Sequence, residues 1–174
     1  MKPDELDGIP AKTWHALAAR HAAWRTPVLA NVTPDGKADA RVVVLRAVHE
    51  QERELIFFTD RRSNKHAAIA VNPSVCLVVH DVDADWQVRL YGRAMEEVTE
   101  RQLDAWWNAL GQRQRALYAA GSRDGGARER GRENFAAFRV TIDRFHCLWL
   151  HDDGNEAAEF EWKNGAWAGT FVRP

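Results

Sequence analysis

The stretch LIFFTDRRSNKHAAIA, residues 55–70, passes from an apolar strand through a knot of charges into an alanine-rich helix. Ser63 stands where a helix N-cap belongs, with Asn64 and Lys65 in the first turn behind it. A helix N-terminus presents unpaired backbone N–H groups and the positive end of its dipole, an arrangement suited to phosphate. Lysine at that place opposes the dipole by about 0.5 kcal/mol, and a bound anion would reverse the sign. An ordinary capped helix behind a solvated basic loop has the same local pattern, so this stretch alone leaves both readings open. If an anion binds, Lys65 is the residue expected on it, and Arg61 and Arg62 are expected to be solvated loop charges.

Two other stretches carry candidate chemistry. RVVVLR places Arg41 and Arg46 at the ends of Val42, Val43, Val44 and Leu45. Arginine in a strand is costly unless its head is paired or reaches solvent. Either both are surface arginines with stems along the sheet, or Arg41 leans toward the same anion as Lys65. In DWQVRLYGRAMEEV, Trp86, Val88, Leu90, Gly92 and Ala94 alternate with a polar face of Gln87, Arg89, Tyr91 and Arg93. That face is either solvated or beside a ligand or second subunit; Gln87 offers a donor and an acceptor to a heterocycle edge. The seven histidines have no metal-ligand spacing, and no metal site is expected. GSRDGG lacks the strand, loop and lysine of a P-loop, and no G-x-S-x-G elbow is present. The arginines at 113, 115, 123, 128, 130 and 132 are diluted by Asp124, Glu129 and Glu133, and read as a solvated loop.

The chain that must position these residues has 174 residues, 45% hydrophobic and 28% charged, which suits a single domain over 1–174. A net charge of −1 argues against a general nucleic-acid or membrane-surface binder. Cys76 and Cys147 each lie in an apolar run and read as buried thiols of a reducing compartment. MKPDELDGIP lacks a signal-peptide core, and nothing approaches the roughly 20 apolar residues of a membrane span, so a cytoplasmic location is expected. Eight tryptophans point to a tightly packed core or a large interface.

Helical periodicity covers 11–24, with Pro10 in the first turn. Strands are expected at 27–33 and 38–48 around a PDG turn, then at LIFFT. Asn72-Pro73 ends the helix, and SVCLVVHDV (74–82) reads as a strand buried on both sides. Thr99 and Gln102 form a capping box before ERQLDAWWNAL, with a second helical piece over QRQRALYAA. Residues 121–134 read as a mobile loop, followed by four strands, AFRVTIDRF, HCLWLHD, EFEWKNG and AWAGTFV, with Asn164-Gly165 as a hairpin turn. Many short strands with helical interruptions indicate a mainly β antiparallel barrel.

In this order the pieces resemble the pyridoxamine 5'-phosphate oxidase superfamily, the FMN-binding split barrels, over about Trp14 to Val172. The likeness is carried by PDGKADARVVVLR, FFTDRRSNKHAAIAVNPSVCLVV and WQVRLYGRAMEEVT. It implies a six-stranded antiparallel split β-barrel with flanking helices, a homodimer holding FMN between its subunits, and no nucleic-acid or membrane partner. Arg41 to Arg46 would run along the flavin, with Arg41 and Lys65 on its phosphate, near Ser63 and Asn64. Many members carry another basic residue where Asn64 stands. Phe58 and Thr59 would lie beside the ring or ribityl chain, and Gln87 at the ring edge. Ser122 would come from the other subunit, and Trp149 would be the tryptophan flanking the flavin.

The family's C-terminal Arg-x-His pair and further arginine have no counterpart here, where DDGNEAAEFEW is acidic. Trp106, Trp107 and Leu110 stand where a substrate-phosphate tyrosine and arginine are expected. Carboxylates cannot replace charge-assisted donors to a phosphate. The resemblance therefore implies an FMN-dependent oxidoreductase that lacks the family's residues for a vitamin B6 phosphate substrate, with the substrate itself unassigned and no catalytic side chain named. Arg46 is the best candidate to touch flavin and substrate, and Trp106 and Trp107 either wall a flat substrate or pack their helix. The alternative is a non-catalytic flavin or haem carrier.

Overall fold

The computed structural model describes residues 6–19, 22–119, 130–152 and 154–174. Two helices, α1 (Ile9–Ala19) and α2 (Ala22–Arg25), precede the sheet and bury Trp14, Leu17 and Trp24 against it. Pro10 falls in the first turn of α1 as expected; His21, assigned to the same helical stripe, lies outside the described residues.

The sheet is antiparallel throughout and remains open. Its order is β2 (Ala38–Val42), β1 (Val28–Val32), β5 (Ser74–Asp81), β6 (Trp86–Glu96), β7 (Phe135–Trp149), β4 (Glu54–Asp60), β3 (Leu45–His49). A hairpin of β8 (Glu156–Lys163) and β9 (Ala166–Val172) continues from β7. Asn164 and Gly165, both at positive φ, make its turn, the left-handed geometry Asn-Gly adopts readily. The split-barrel expectation holds; the strands number nine among the described residues.

One strand was expected over 38–48, but the run breaks at Val43–Val44. β2 pairs with β1 at one end of the strand order, and β3 pairs with β4 at the other. The Val43 N–H donates to the Pro27 carbonyl at 3.0 Å instead of joining a ladder. Val43 and Leu45 are both buried in the core, so the chain crosses the barrel mouth there with its apolar side chains inward. AFRVTIDRF and HCLWLHD, expected as two strands, form the single fifteen-residue β7. It can be long because β6 pairs with it from Phe138 to Trp149, while β4 pairs along its first half and β8 along its second.

Gly92 explains how β6 bends against β7. The register slips between Tyr91 and Gly92, and a Cβ at 92 would stand 2.1 Å from the Thr141 carbonyl oxygen. Only glycine permits that approach. β5 is buried on one face alone. Val75, Leu77 and Val79 point inward, while Cys76 and Val78 are half-exposed and His80 is exposed.

Between β4 and β5 lies α3 (Asn64–Val71), and between β6 and β7 lie α4 (Glu100–Ala109), α5 (Gln112–Ala119) and α6 (Arg130–Asn134). Thr99 is the N-cap of α4, but the expected capping box is not made: its side chain makes no cap bond, and its own N–H donates to Glu97 Oε1 at 2.8 Å. The end of the stretch expected as a loop over 121–134 is instead the helix α6, which feeds directly into β7; residues 120–129 lie outside the described set. Leu103, Trp107, Leu110, Phe135 and Ala137 build a second, smaller core beneath α4, apart from the barrel interior.

Candidate functional site

Residues directly opposite across neighbouring strands share a face. Arg41 is opposite Leu29, Leu29 opposite Leu77, and Leu77 opposite Leu90. Those leucines are fully buried, so Arg41 belongs to the inward side of the edge strand β2. It is half-buried there, where α3 packs against β1. Its guanidinium donates through Nη1 to Asn31 Oδ1 and through Nη2 to Asp39 Oδ2.

Ser63 caps α3 as the sequence predicts, in extended backbone (φ −77°, ψ 148°), its Oγ accepting from the His66 N–H at 3.4 Å. The same Oγ donates to the Asp60 carbonyl at 2.7 Å and lies 3.2 Å from the buried Thr59 hydroxyl. Lys65 Nζ comes to 3.5 Å of it. Burial, then the like charge of Arg41, hold the Lys65 ammonium below the ordinary lysine range, with Asp60 acting in the opposite direction. Two half-buried cations thus lie near one helix N-terminus, the kind of donor set a phosphate requires. The Nδ2 of Asn31 adds a buried donor that has no partner among the described residues. The residues present fit a phosphate monoester.

Arg61 and Arg62 are not solvated loop charges. Arg61 Nε bonds Glu96 Oε1 at 2.9 Å, and Glu96 Oε2 in turn lies 2.8 Å from His66 Nε2. Arg62 clamps Asp60 through Nε at 2.9 Å and Nη2 at 2.6 Å, and reaches the Tyr118 carbonyl at 3.1 Å. These bonds tie the loop before α3 to β4, β6 and α5, so both arginines hold the loop that carries Ser63 and Lys65. The Asp60 carboxyl is correspondingly held below its usual range, first by the Arg62 side chain.

The site continues past Asp60. The Arg46 guanidinium lies 5.4 Å from the centre of the Phe58 ring, and Phe58 contacts Trp106 and Phe135. Burial raises the Tyr118 phenol above its ordinary range, Arg46 opposing and Asp60 adding to the shift. The chain from Phe58 through Asp60 to Lys65 thus forms a strip, with Arg46 over the ring at its Phe58 end and Arg41 acting on the ammonium at its Lys65 end. Its cationic end suits a phosphate, and its aromatic end suits a flat ring.

The sequence profile of pyridoxamine 5'-phosphate oxidase matches residues 14–148. The chain belongs to that family. A pyridoxine/pyridoxamine 5'-phosphate oxidase of Cupriavidus necator is 34% identical over 128 residues, 71% of this chain and 58% of the relative. One from Nostoc is 38% identical over 98 residues, 55% of this chain and 44% of the relative. The chain thus spans about half the length of the curated relatives it matches. Among solved structures, a pyridoxamine 5'-phosphate oxidase-related, FMN binding protein from Nostoc punctiforme superposes with a TM-score of 0.75 at 22% identity, covering 100% of both chains. PhzG from Burkholderia lata, in complex with tetrahydrophenazine-1-carboxylic acid, superposes at 0.77 with 19% identity, covering 99% of this chain and 95% of its own. These likenesses carry the fold.

Not every residue expected from this family's pattern joins the strip. Val43 and Leu45 are core side chains, Val44 is half-buried between them, Val42 is exposed, and Asn64 is exposed in the first turn of α3. Gln87 lies on the outward face of β6, opposite His80 and Leu148, and no single chain brings it to Arg41 and Lys65. Ser122 lies outside the described residues. Trp149 is 2% exposed and stacked on Trp86 with ring centres 6.1 Å apart, which makes it a core residue of this chain.

Trp106 and Trp107 part company. Trp107 is buried among Phe135 and Tyr118, whereas Trp106 is half-exposed between Phe58 and the Arg139 guanidinium. Arg139 is engaged by Glu54 at 2.9 Å and Glu97 at 2.6 Å, and Arg132 by Glu100 and Asp104. The acidic C-terminal stretch places Glu159 on Arg144 at 2.6 Å. Each of these arginines is already matched by carboxylate. Among the described residues no group of three or more His, Cys, Asp or Glu side chains could hold a metal, and no helix is long and apolar enough to cross a membrane.

Proposed function

We propose that this chain is an FMN-binding oxidoreductase whose substrate carries no phosphate. The observation that carries the reading is the Ser63-capped start of α3 with half-buried Lys65 in its first turn and half-buried Arg41 on the neighbouring edge strand. Burial, then Arg41, disfavour the Lys65 ammonium there, and a phosphate dianion would repay that cost. Bound FMN would supply the hydride or electron transfer. The chain's own residues do the rest. Arg41 and Lys65 bind the phosphate, Thr59 and Ser63 fix the turn beside it, and Arg46 over Phe58 supports the ring end. Trp106, with its half-exposed face next to Phe58, is the wall against which a flat apolar substrate would lie. Arg139, the arginine beside Trp106, is already held by Glu54 and Glu97 and is no spare donor for a second phosphate, which disfavours a vitamin B6 phosphate as substrate.

A homodimer completes the reading. Val28, Val32 and Val42 are 38, 40 and 62% exposed on the outward face that also carries Gln87, an apolar surface a second copy would cover. The test is direct. Purified protein should take up FMN stoichiometrically and turn yellow, and the Arg41→Ala, Lys65→Ala double variant should lose it. Colourless protein that ignores added FMN would refute the proposal. Oxidation of reduced nicotinamide by the loaded protein would separate an enzyme from a carrier.

A further inference from the structure

Asn31 belongs to none of the stretches that carry the family likeness. It lies on β1 opposite Asp39 of β2, is 6% exposed, and is a residue type that strands disfavour. Its Oδ1 accepts from Arg41 Nη1, which fixes the orientation of the carboxamide, since the guanidinium has no acceptor to offer Nδ2. Nδ2 is left buried with no hydrogen-bond partner among the described residues. A buried donor in that condition is uncommon and costly, and marks a place where an acceptor belongs.

The two groups that orient Arg41 differ in kind. Asp39 also engages the guanidinium, but a carboxylate neutralises the charge it positions. Asn31 positions the same fork and leaves its charge available. Arg41 is in turn close enough to Lys65 to depress it. A phosphate oxygen that displaced the Asp39 contact would meet Arg41 and Lys65 with the Asn31 carboxamide behind them.

We propose that Asn31 sets the preference of this site for a phosphorylated flavin, by holding the Arg41 fork on the Lys65 side of the edge strand and offering Nδ2 to the same phosphate. The inference rests on the flavin reading above. Its role is selective: riboflavin, which lacks the phosphate, should not depend on it.

The experiment compares FMN and riboflavin affinities, from quenching of flavin fluorescence, in wild type, Asn31→Val and Asn31→Thr, with melting temperatures measured alongside. Val and Thr have nearly the same shape, and only Thr keeps a hydroxyl that can accept from Arg41. The Val variant should lose FMN affinity about tenfold to a hundredfold, the loss of one or two charge-assisted bonds, while riboflavin changes less than about twofold. The Thr variant should recover part of that loss. Should Val fail to fold, the isostere Asn31→Asp replaces it, with the same selective loss of FMN expected. An unchanged ratio of FMN to riboflavin affinity in these variants, or an equal loss of both flavins, overturns the proposal. Wild type that binds both flavins equally overturns this inference alone, whereas wild type that binds neither overturns the flavin reading and this inference with it.

Discussion

Replacing Lys65 by Met should stabilise the flavin-free protein and weaken its hold on FMN, two effects of opposite sign from one charge. Methionine keeps the unbranched stem and its packing while removing the ammonium. That ammonium opposes the α3 dipole, about 0.5 kcal/mol, and faces Arg41, a like-charge term of similar size once solvent screening is allowed for. The sum, about 1 kcal/mol, corresponds to a rise in melting temperature of about 2–4 °C for a chain of this length.

The pH dependence follows from the direction of the Lys65 shift. Its folded value lies below the 10.5 of an ordinary lysine, so the protonated form is disfavoured by folding. The penalty is fully present below the lowered value and fades as pH rises through it toward 10.5. The stability advantage of Lys65→Met should therefore be full in buffers below the lowered value and shrink as pH rises toward 10.5. FMN should bind about tenfold to a hundredfold more weakly to the variant, the cost of one charge-assisted bond, with riboflavin unaffected. Thermal melts of the flavin-free protein across that pH range and flavin titration are the assays. A variant that melts lower than wild type and still prefers FMN would show that Lys65 is an ordinary solvated helix residue.

Other consequences follow from the same geometry. Asp39→Asn removes a carboxylate that competes for Arg41, so FMN should bind severalfold more tightly while riboflavin stays unchanged in the same titration. Gly92→Ala forces a methyl against the Thr141 backbone and should cost about 1–3 kcal/mol or more, read from the midpoint of urea unfolding. Trp107→Ala should cost about 3–5 kcal/mol by the same measurement. Trp106→Ala, at a half-exposed site, should cost far less and instead change KM for substrate once one is found.

Much of the strip was legible because it is local. Ser63 and Lys65 stand two residues apart at a helix start, and a capped helix with a basic first turn is a pattern of near neighbours in sequence. The strand phases were equally readable where one face is buried, as at Trp86 to Ala94. What escaped depends on partners distant in sequence. Asn31 gave no signal, because its meaning lies in a bond to Arg41 ten residues away and in an amide that nothing satisfies. Arg61 and Arg62 looked solvated because Glu96 and Tyr118 come to them only through the fold. The break at Val43–Val44 was invisible in a run of apolar residues, since a buried crossing and a buried strand share one composition.

β5 joins the fold to its assembly. SVCLVVHDV reads as buried on both sides, yet in one chain only Val75, Leu77 and Val79 are covered. Such a run is what a strand needs if its second face is covered by something outside the chain. Val28, Val32 and Val42 extend that uncovered face across β1 and β2, and Val42 adjoins Arg41 in sequence. A second copy seated there would bury apolar surface beside the half-buried cation pair, lowering the local dielectric around Arg41 and Lys65 and strengthening their hold on a phosphate. Flavin binding and dimerisation should then be coupled in both directions. Val42→Glu would weaken FMN binding without touching any group that contacts the phosphate, and FMN would shift the sedimentation of dilute wild-type protein toward the dimer. If Val42→Glu were monomeric with undiminished FMN affinity, each chain would bind its flavin alone and the apolar face would serve another purpose.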